Sequence, residues 1–140
     1  MKRISLTIIT IIICFTAKSQ YNNDIIIEQI LKTDTNSIGQ KINYPDFKED
    51  LVTILKVTIP SGKSTGWHKH EIPVFAYIQK GTLTVEIEGN KTIQFSENSS
   101  FSEVLNVFHN GTNKGNEVLI IIAFYLGEKG KPLSVRKESD

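Results

Sequence analysis

Apolar and polar residues alternate with a two-residue period over Leu83-Thr84-Val85-Glu86-Ile87-Glu88. That is the pattern of a strand with one buried face. Gly89-Asn90 then reads as a two-residue hairpin turn, and Lys91 to Phe95 returns as the partner strand. Upstream, Leu51 to Ile59 is rich in β-branched residues and stops at the turn Pro60-Ser61-Gly62. Val74 to Ile78 is a further apolar run, punctuated by Gly81. Phe101 to Val107 and Val118 to Tyr125 complete the predicted strands. Val118 to Phe124 is apolar on both parities, which predicts burial on both faces. Tyr21 to Ile38 carries only a brief helix-like spacing, at Ile25-Ile26-Ile27 and Ile30-Leu31, and predicts a short helix or an irregular arm. Many short strands, Gly-rich turns and no strong helix predict an all-β domain, a sandwich or a barrel.

The first twenty residues break from this pattern. Lys2-Arg3 precedes an almost wholly apolar run from Ile4 to Phe15, and Ala17-Lys18-Ser19 offers small residues at the positions a signal peptidase reads. A secretory signal peptide over 1–19 is expected, cut before Gln20. The apolar run is short for a membrane anchor, which takes about 20 apolar residues. Ile13 stands before Cys14, where a lipid-attachment site would want a small residue. The expected organisation is signal peptide 1–19, N-terminal arm 20–50 and one β-barrel domain 51–140, with a periplasmic or secreted location. Within 140 residues a single domain is the expectation.

Cleavage changes the charge and the redox chemistry. Losing Lys2, Arg3 and Lys18 moves the formal charge from +1 to −2. It also removes Cys14, the only cysteine, so the mature chain has neither disulfide nor thiol chemistry. No basic cluster points to nucleic acid, and no membrane contact is expected once the signal is removed.

The candidate chemistry lies in the histidines, of which the chain has three. His68 and His70 are two apart, so on a strand they point to one face, with Cβ atoms roughly 7 Å apart. Long side chains can converge from there on a cation bound at about 2 Å. The remaining histidine, His109, lies in a distant strand-rich segment. Read from residue types alone, the three are either metal ligands or hydrogen-bonded histidines without a metal.

Gly62-(five residues)-His68-Lys69-His70-(three residues)-Val74-(six residues)-Gly81 resembles the first motif of the cupin superfamily, G-x5-H-x-H-x3,4-E-x6-G. His109 to Asn113 resembles the end of its second motif, H-x3-N, and a hairpin separates the two as in that family. The resemblance runs from about Leu51 to Leu126, and the tail Gly127 to Val135 is similar to that of small bacterial single-domain cupins. It implies a double-stranded β-helix (jelly-roll) barrel that binds a divalent metal through His68, His70 and His109. Iron, manganese, nickel, zinc and copper all suit imidazole, and the sequence does not choose among them. Self-association as a homodimer is also implied.

This chain departs from the family at several positions. Val74 occupies the place of the motif-one glutamate. In motif two, Asn98 and Asn106 stand at glycine positions and Val104 at the proline position, so an unusual turn is expected before His109. A fourth ligand could come from Glu103, six residues before His109 and on the same face of an unbroken strand. Small cupins similar to this chain carry Phe-x-Glu there, matching Phe101-Ser102-Glu103. Glu71, next to His70, points the other way on a regular strand and is expected to be solvated. Trp67, Phe75 and Tyr77 have the opposite parity to the histidines and are expected outside the barrel. Asn113 is expected to fix its local turn. Two functions follow: a metal-dependent dioxygenase or isomerase of a small organic molecule, or a non-catalytic cupin module binding a small molecule or sugar.

Overall fold

The computed structural model of the chain describes residues 24–89 and 91–138. The expected signal peptide and Cys14 lie outside the described residues. Nine strands follow in order: β1 (Asp50–Ile59), β2 (His68–Lys69), β3 (Val74–Lys80), β4 (Thr82–Ile87), β5 (Lys91–Ser96), β6 (Ser100–Ser102), β7 (His109–Thr112), β8 (Leu119–Glu128) and β9 (Val135–Arg136). The described residues contain no helix. They form a four-stranded sheet in the order β1-β8-β3-β6 and a five-stranded sheet in the order β5-β4-β7-β2-β9. Every strand pair is antiparallel. The two sheets face each other as a jelly-roll barrel, whose inward side chains fill one space.

That space is apolar along most of its length. Ile59 from β1, Ala76 and Ile78 from β3, Leu83, Val85 and Ile87 from β4, and Leu119 and Ile121 from β8 form one buried cluster. Alternation makes this possible, since residues two apart share a face. Each fully buried aliphatic side chain stabilises the fold by about 1.5–3 kcal/mol. Gly81 sits in the turn between β3 and β4 with φ +86, and a Cβ there would lie 3.3 Å from both the Leu119 Cα and the Val118 carbonyl oxygen. Both the left-handed backbone and the close approach of β8 call for glycine.

Several expectations are corrected. Residues 24–38 take the irregular alternative, not the helix. Their isoleucines Ile25, Ile26 and Ile27 stay exposed, so no packed face supports a short helix. Ile87 pairs with Lys91, so the β4–β5 loop holds three residues, with Gly89 at positive φ, and not two. The strand expected over Phe101 to Val107 ends at Ser102, and Asn106 then turns the chain at φ 58. In β8, Leu119, Ile121 and Ala123 are buried, while Phe124 is exposed. Its even-numbered residues face outward from the barrel, where only part of the surface is covered. Asn98 and Asn106, both at glycine positions of the motif, have φ of 63 and 58. Asparagine tolerates this left-handed conformation better than other non-glycine residues, so the turns survive the substitutions.

Candidate metal centre

The site is assembled where the two-residue strand β2 meets β7. His68 stands directly opposite His109 in that ladder, and Ile87 of β4 pairs with His109 on the other side. His70 lies just past the end of β2, held by a parallel bridge to Leu105 and by a 2.8 Å bond from the Asn106 N–H to its carbonyl. The three rings gather with centroid separations of 4.9 Å (His68–His70), 4.5 Å (His68–His109) and 5.1 Å (His70–His109). One ligand nitrogen from each lies within 4.8 Å of the others.

The hydrogen bonds fix which nitrogens face inward. Nδ1 of His68 is 2.8 Å from the Gly66 carbonyl, Nδ1 of His70 is 2.8 Å from the Leu133 carbonyl, and Nδ1 of His109 is 3.0 Å from the Val107 carbonyl. A carbonyl oxygen only accepts, so each Nδ1 carries the proton and each Nε2 keeps a lone pair. His109 Nε2 is buried with no hydrogen-bond partner among the described residues. An orphaned buried acceptor is costly and asks for a ligand. Burial also lowers the pKa of all three imidazoles, that of His70 to about 4. Three neutral rings with free lone pairs, oriented by backbone carbonyls, fit a divalent cation. Nitrogens around one such ion lie roughly 3 Å apart, so atoms now within 4.8 Å of one another need close by no more than about 2 Å.

Glu103 reaches the same place by a different route from the one its spacing suggests. The strand does not run unbroken to His109, so parity does not place it there. Its N–H instead donates to the Val74 carbonyl at 2.9 Å, which lays the segment after β6 alongside Val74. The Glu103 side chain is 15% exposed, and its Oε2 is 3.6 Å from His109 Nε2. Burial raises its pKa to about 7, only partly opposed by His68. Since burial also keeps His109 neutral, this contact is not an ion pair. Val74, at the motif glutamate position, is itself buried and ligates nothing.

The cavity beside the histidines measures about 50 Å³ and is lined also by Glu103, Thr65, Tyr125 and an apolar wall. Neither Thr65 nor Tyr125 stands out as a site residue in the sequence. Tyr125 shares the inward parity of Leu119, Ile121 and Ala123, and strand alternation is the one signal that points to it. Its ring meets that of His70 edge-on at 5.6 Å. Burial and then the Glu103 carboxylate raise its pKa. Thr65 Oγ1 accepts the Gly111 N–H at 3.0 Å and so ties the loop before β2 to β7.

The remaining candidates lie away from the cavity. Glu71 is exposed and paired with Lys69. Trp67 is exposed, while Phe75 and Tyr77 are on the outer face of β3. Asn113 fixes its turn: its Nδ2 donates to the carbonyls of Ile59 at 2.9 Å and Glu117 at 2.7 Å, and its Oδ1 accepts the Gly115 N–H at 3.0 Å.

Comparison with known proteins places the architecture. No curated protein sequence matches the chain. Its fold is similar to that of the DMSP lyase DddQ from Ruegeria pomeroyi DSS-3 (TM-score 0.53, 14% identity, covering 61% of this chain and 42% of that one). It is also similar to BH2720 from Bacillus halodurans (TM-score 0.52, 17% identity, 60% of this chain and 67% of that one). A third similar structure is a Cupin 2 conserved barrel domain protein from Salinispora arenicola CNS-205 (TM-score 0.50, 16% identity, 54% and 63%). The chain thus spans less than half of the lyase, and identities this low speak for the fold alone. Residues 55–125, from within β1 to Tyr125 of β8, match the Cupin domain family, and the chain therefore belongs to the cupins.

Proposed function

We propose that this chain is an exported single-domain cupin that holds one divalent metal through Nε2 of His68, His70 and His109, with Glu103 as a fourth, oxygen ligand, and acts on a small organic molecule as a dioxygenase or isomerase. The observation that carries this reading is the set of three Nδ1–carbonyl bonds, which leaves three lone pairs converging and one buried nitrogen unpartnered. A bound metal would supply Lewis acidity or, if iron, redox chemistry. The chain's own residues supply the rest. The backbone carbonyls of Gly66, Val107 and Leu133 hold the rings. Glu103, whose pKa burial raises to about 7 in the metal-free site, would give up its proton to serve as a ligand. Val57, Leu83 and Ile121 keep bulk water from that end of the cavity. Export is supported by the basic start, the apolar run and the small residues at 17–19.

Elemental analysis of the mature protein, purified from its own compartment, and of a His68→Ala/His70→Ala variant tests this reading. About one equivalent in the first and none in the second is expected. Negligible metal in both ends the proposal.

One observation favours a second reading, a non-catalytic module that binds a small molecule or sugar: Val74 has replaced the motif glutamate. Oxygen consumption or turnover across a panel of catechols, thiols and keto acids separates the two. We also propose a homodimer. Edge strand β1 leaves Leu51, Val52 and Ile54 exposed, as the arm does Ile25, Ile26 and Ile27. Sedimentation of wild type against a Val52→Lys/Ile54→Lys variant tests it. A monomeric wild type would refute it.

A further inference from the structure

The cavity next to the three imidazoles constrains what can bind there. Its volume of about 50 Å³ is far below the roughly 300–1,000 Å³ of a site for a drug-sized ligand. Its walls beyond the metal-facing groups are Val57, Leu83, Val85, Ile121 and Ala123, with Gly111, Tyr125 and Thr65, whose hydroxyl already donates to the Gly66 carbonyl at 3.1 Å. No lysine or arginine lines it among the described residues. Arg136, cross-strand from His68, is exposed and lines none of it. A second negative charge on a ligand would therefore meet aliphatic carbon and the Glu103 carboxylate, with no cationic side chain to receive it.

One donor faces the cavity in addition. Among the described residues the Tyr77 hydroxyl, on the outer face, has a partner in Asn98 Oδ1 at 2.8 Å, and the Tyr125 hydroxyl has none. Tyr125 is cross-strand from Val74, where the motif would have its carboxylate. Residue 74 is a buried valine, and the carboxylate that lines the cavity is Glu103, on the far side of Val74.

We infer that the ligand of this site is a compact molecule of a few non-hydrogen atoms, with an apolar body and a single anionic or acceptor group, which the Tyr125 hydroxyl orients by donating a hydrogen bond. Dicarboxylates, phosphates and sugars fall outside this class. The inference rests on the metal reading above, and it names Tyr125 as a binding residue that takes no part in holding the metal.

The test uses the mature protein loaded with Co²⁺, whose visible absorption reports ligands entering the site. Acetate, propionate, butyrate, hexanoate and succinate are the probes. Affinity should rise about fourfold per methylene from acetate to butyrate, as each CH₂ meets the apolar wall, and hexanoate should gain nothing more. Succinate should bind at least tenfold more weakly than butyrate. Tyr125→Phe should bind one Co²⁺ as wild type does, yet bind butyrate about tenfold more weakly. Succinate matching butyrate, a continued gain at hexanoate, or an unchanged butyrate affinity in Tyr125→Phe would each overturn the inference while leaving the metal site standing. Failure of the wild-type protein to take up Co²⁺ overturns the metal reading itself, and the inference with it.

Discussion

Two concavities lie on opposite sides of the β1-β8-β3-β6 sheet, and they differ in kind. The outer one, about 330 Å³, lies between the N-terminal arm and the sheet, lined by Ile30, Leu31, Phe75, Tyr77, Ile122 and Phe124. The inner one, about 50 Å³, holds three imidazoles, a carboxylate and a phenol. The larger space carries almost no chemistry, and the smaller one carries nearly all of it. Successive residues of a single strand serve both: Phe124 faces out and Tyr125 in. Size therefore does not find the site in this fold. Desolvation does, because only the enclosed side is dry enough to keep imidazoles neutral and to raise a carboxylate pKa to about 7.

The comparison is broken most strongly by hydrophobic truncation. Ile78, on the inner face of β3, is 0% exposed, and Ile54, on the outer face of β1, is 57% exposed. Ile78→Ala should destabilise by about 2–5 kcal/mol, because a cavity forms where neighbours cannot collapse. Ile54→Ala should cost no more than about 0.5 kcal/mol in the monomer. Urea unfolding of both variants at low protein concentration measures the difference. Similar losses would mean that the outer face is packed as tightly as the inner.

Metal should stabilise through the inner site alone. At a free metal concentration a thousandfold above Kd, the folded state gains about 4 kcal/mol. Thermal melts of chelator-treated protein with and without added cation should show the gain in wild type and in Phe124→Ser, and lose it in His109→Ala. A gain that persists in His109→Ala would place the cation elsewhere.

The pH response of the metal-free protein sharpens the contrast further. His70 has its folded pKa lowered to about 4, so its contribution is fully present above about 6.5 and is lost as pH falls through about 4. His68 and His109 act with the same sign. Glu103 has its folded pKa raised to about 7, so its contribution is present below about 4.5 and lost as pH rises through about 7. The two trends oppose each other between about pH 4.5 and 6.5. Glu103→Gln removes the second trend. Relative to wild type, the metal-free variant should gain stability between about pH 4.5 and 7, by about 3 kcal/mol in all. Urea midpoints from pH 4.5 to 8 read this out. Parallel profiles would mean that the carboxylate is solvated. With metal bound the order reverses, because the variant lacks a ligand.

Alternation along the chain carries most of the fold. β3, β4 and β8 follow the apolar pattern closely, because each has a buried face that the period reports, while β1 and β5 are found from their β-branched residues and turns although little of either is buried. β2, β7 and β9 are two to four residues long, too short for a period to declare itself, and the site is built on the first two. The histidines are legible because the spacing around Gly62, His68, His70 and Gly81 is itself distinctive. Glu103 is legible through its resemblance, Phe101-Ser102-Glu103, and not through its spacing: its even offset from His109 is accidental, since the chain leaves one sheet and enters the other between them. Tyr125 is visible as an inward residue but not as a site residue, because its neighbours in space are His70 just past β2, Val74 of β3 and Glu103 after β6, which only tertiary pairing brings near. The outward half of β8 is less covered than its sequence implies, because a run apolar on both parities cannot say how much packs on its second face.

The two tyrosines provide the finest test, since they do opposite things with the same group. The Tyr77 hydroxyl donates to Asn98 Oδ1 on the outer face, and Asn98 is held at positive φ in the turn between β5 and β6. Tyr77→Phe breaks that bond at a solvent-accessible place, where water can replace it, so about 0.5–1.5 kcal/mol should be lost. Butyrate binding by the cobalt-loaded protein should be unaffected. Tyr125→Phe removes a hydroxyl without a protein partner, so no bond is lost on the folded side and its stability should match that of wild type or exceed it. Its effect should appear in ligand affinity alone. Measured side by side, the outer tyrosine should move the unfolding midpoint and the inner one the binding curve. If both substitutions shifted the same quantity, the division between a structural outer face and a chemical inner one would fail at the residues where it is drawn most closely.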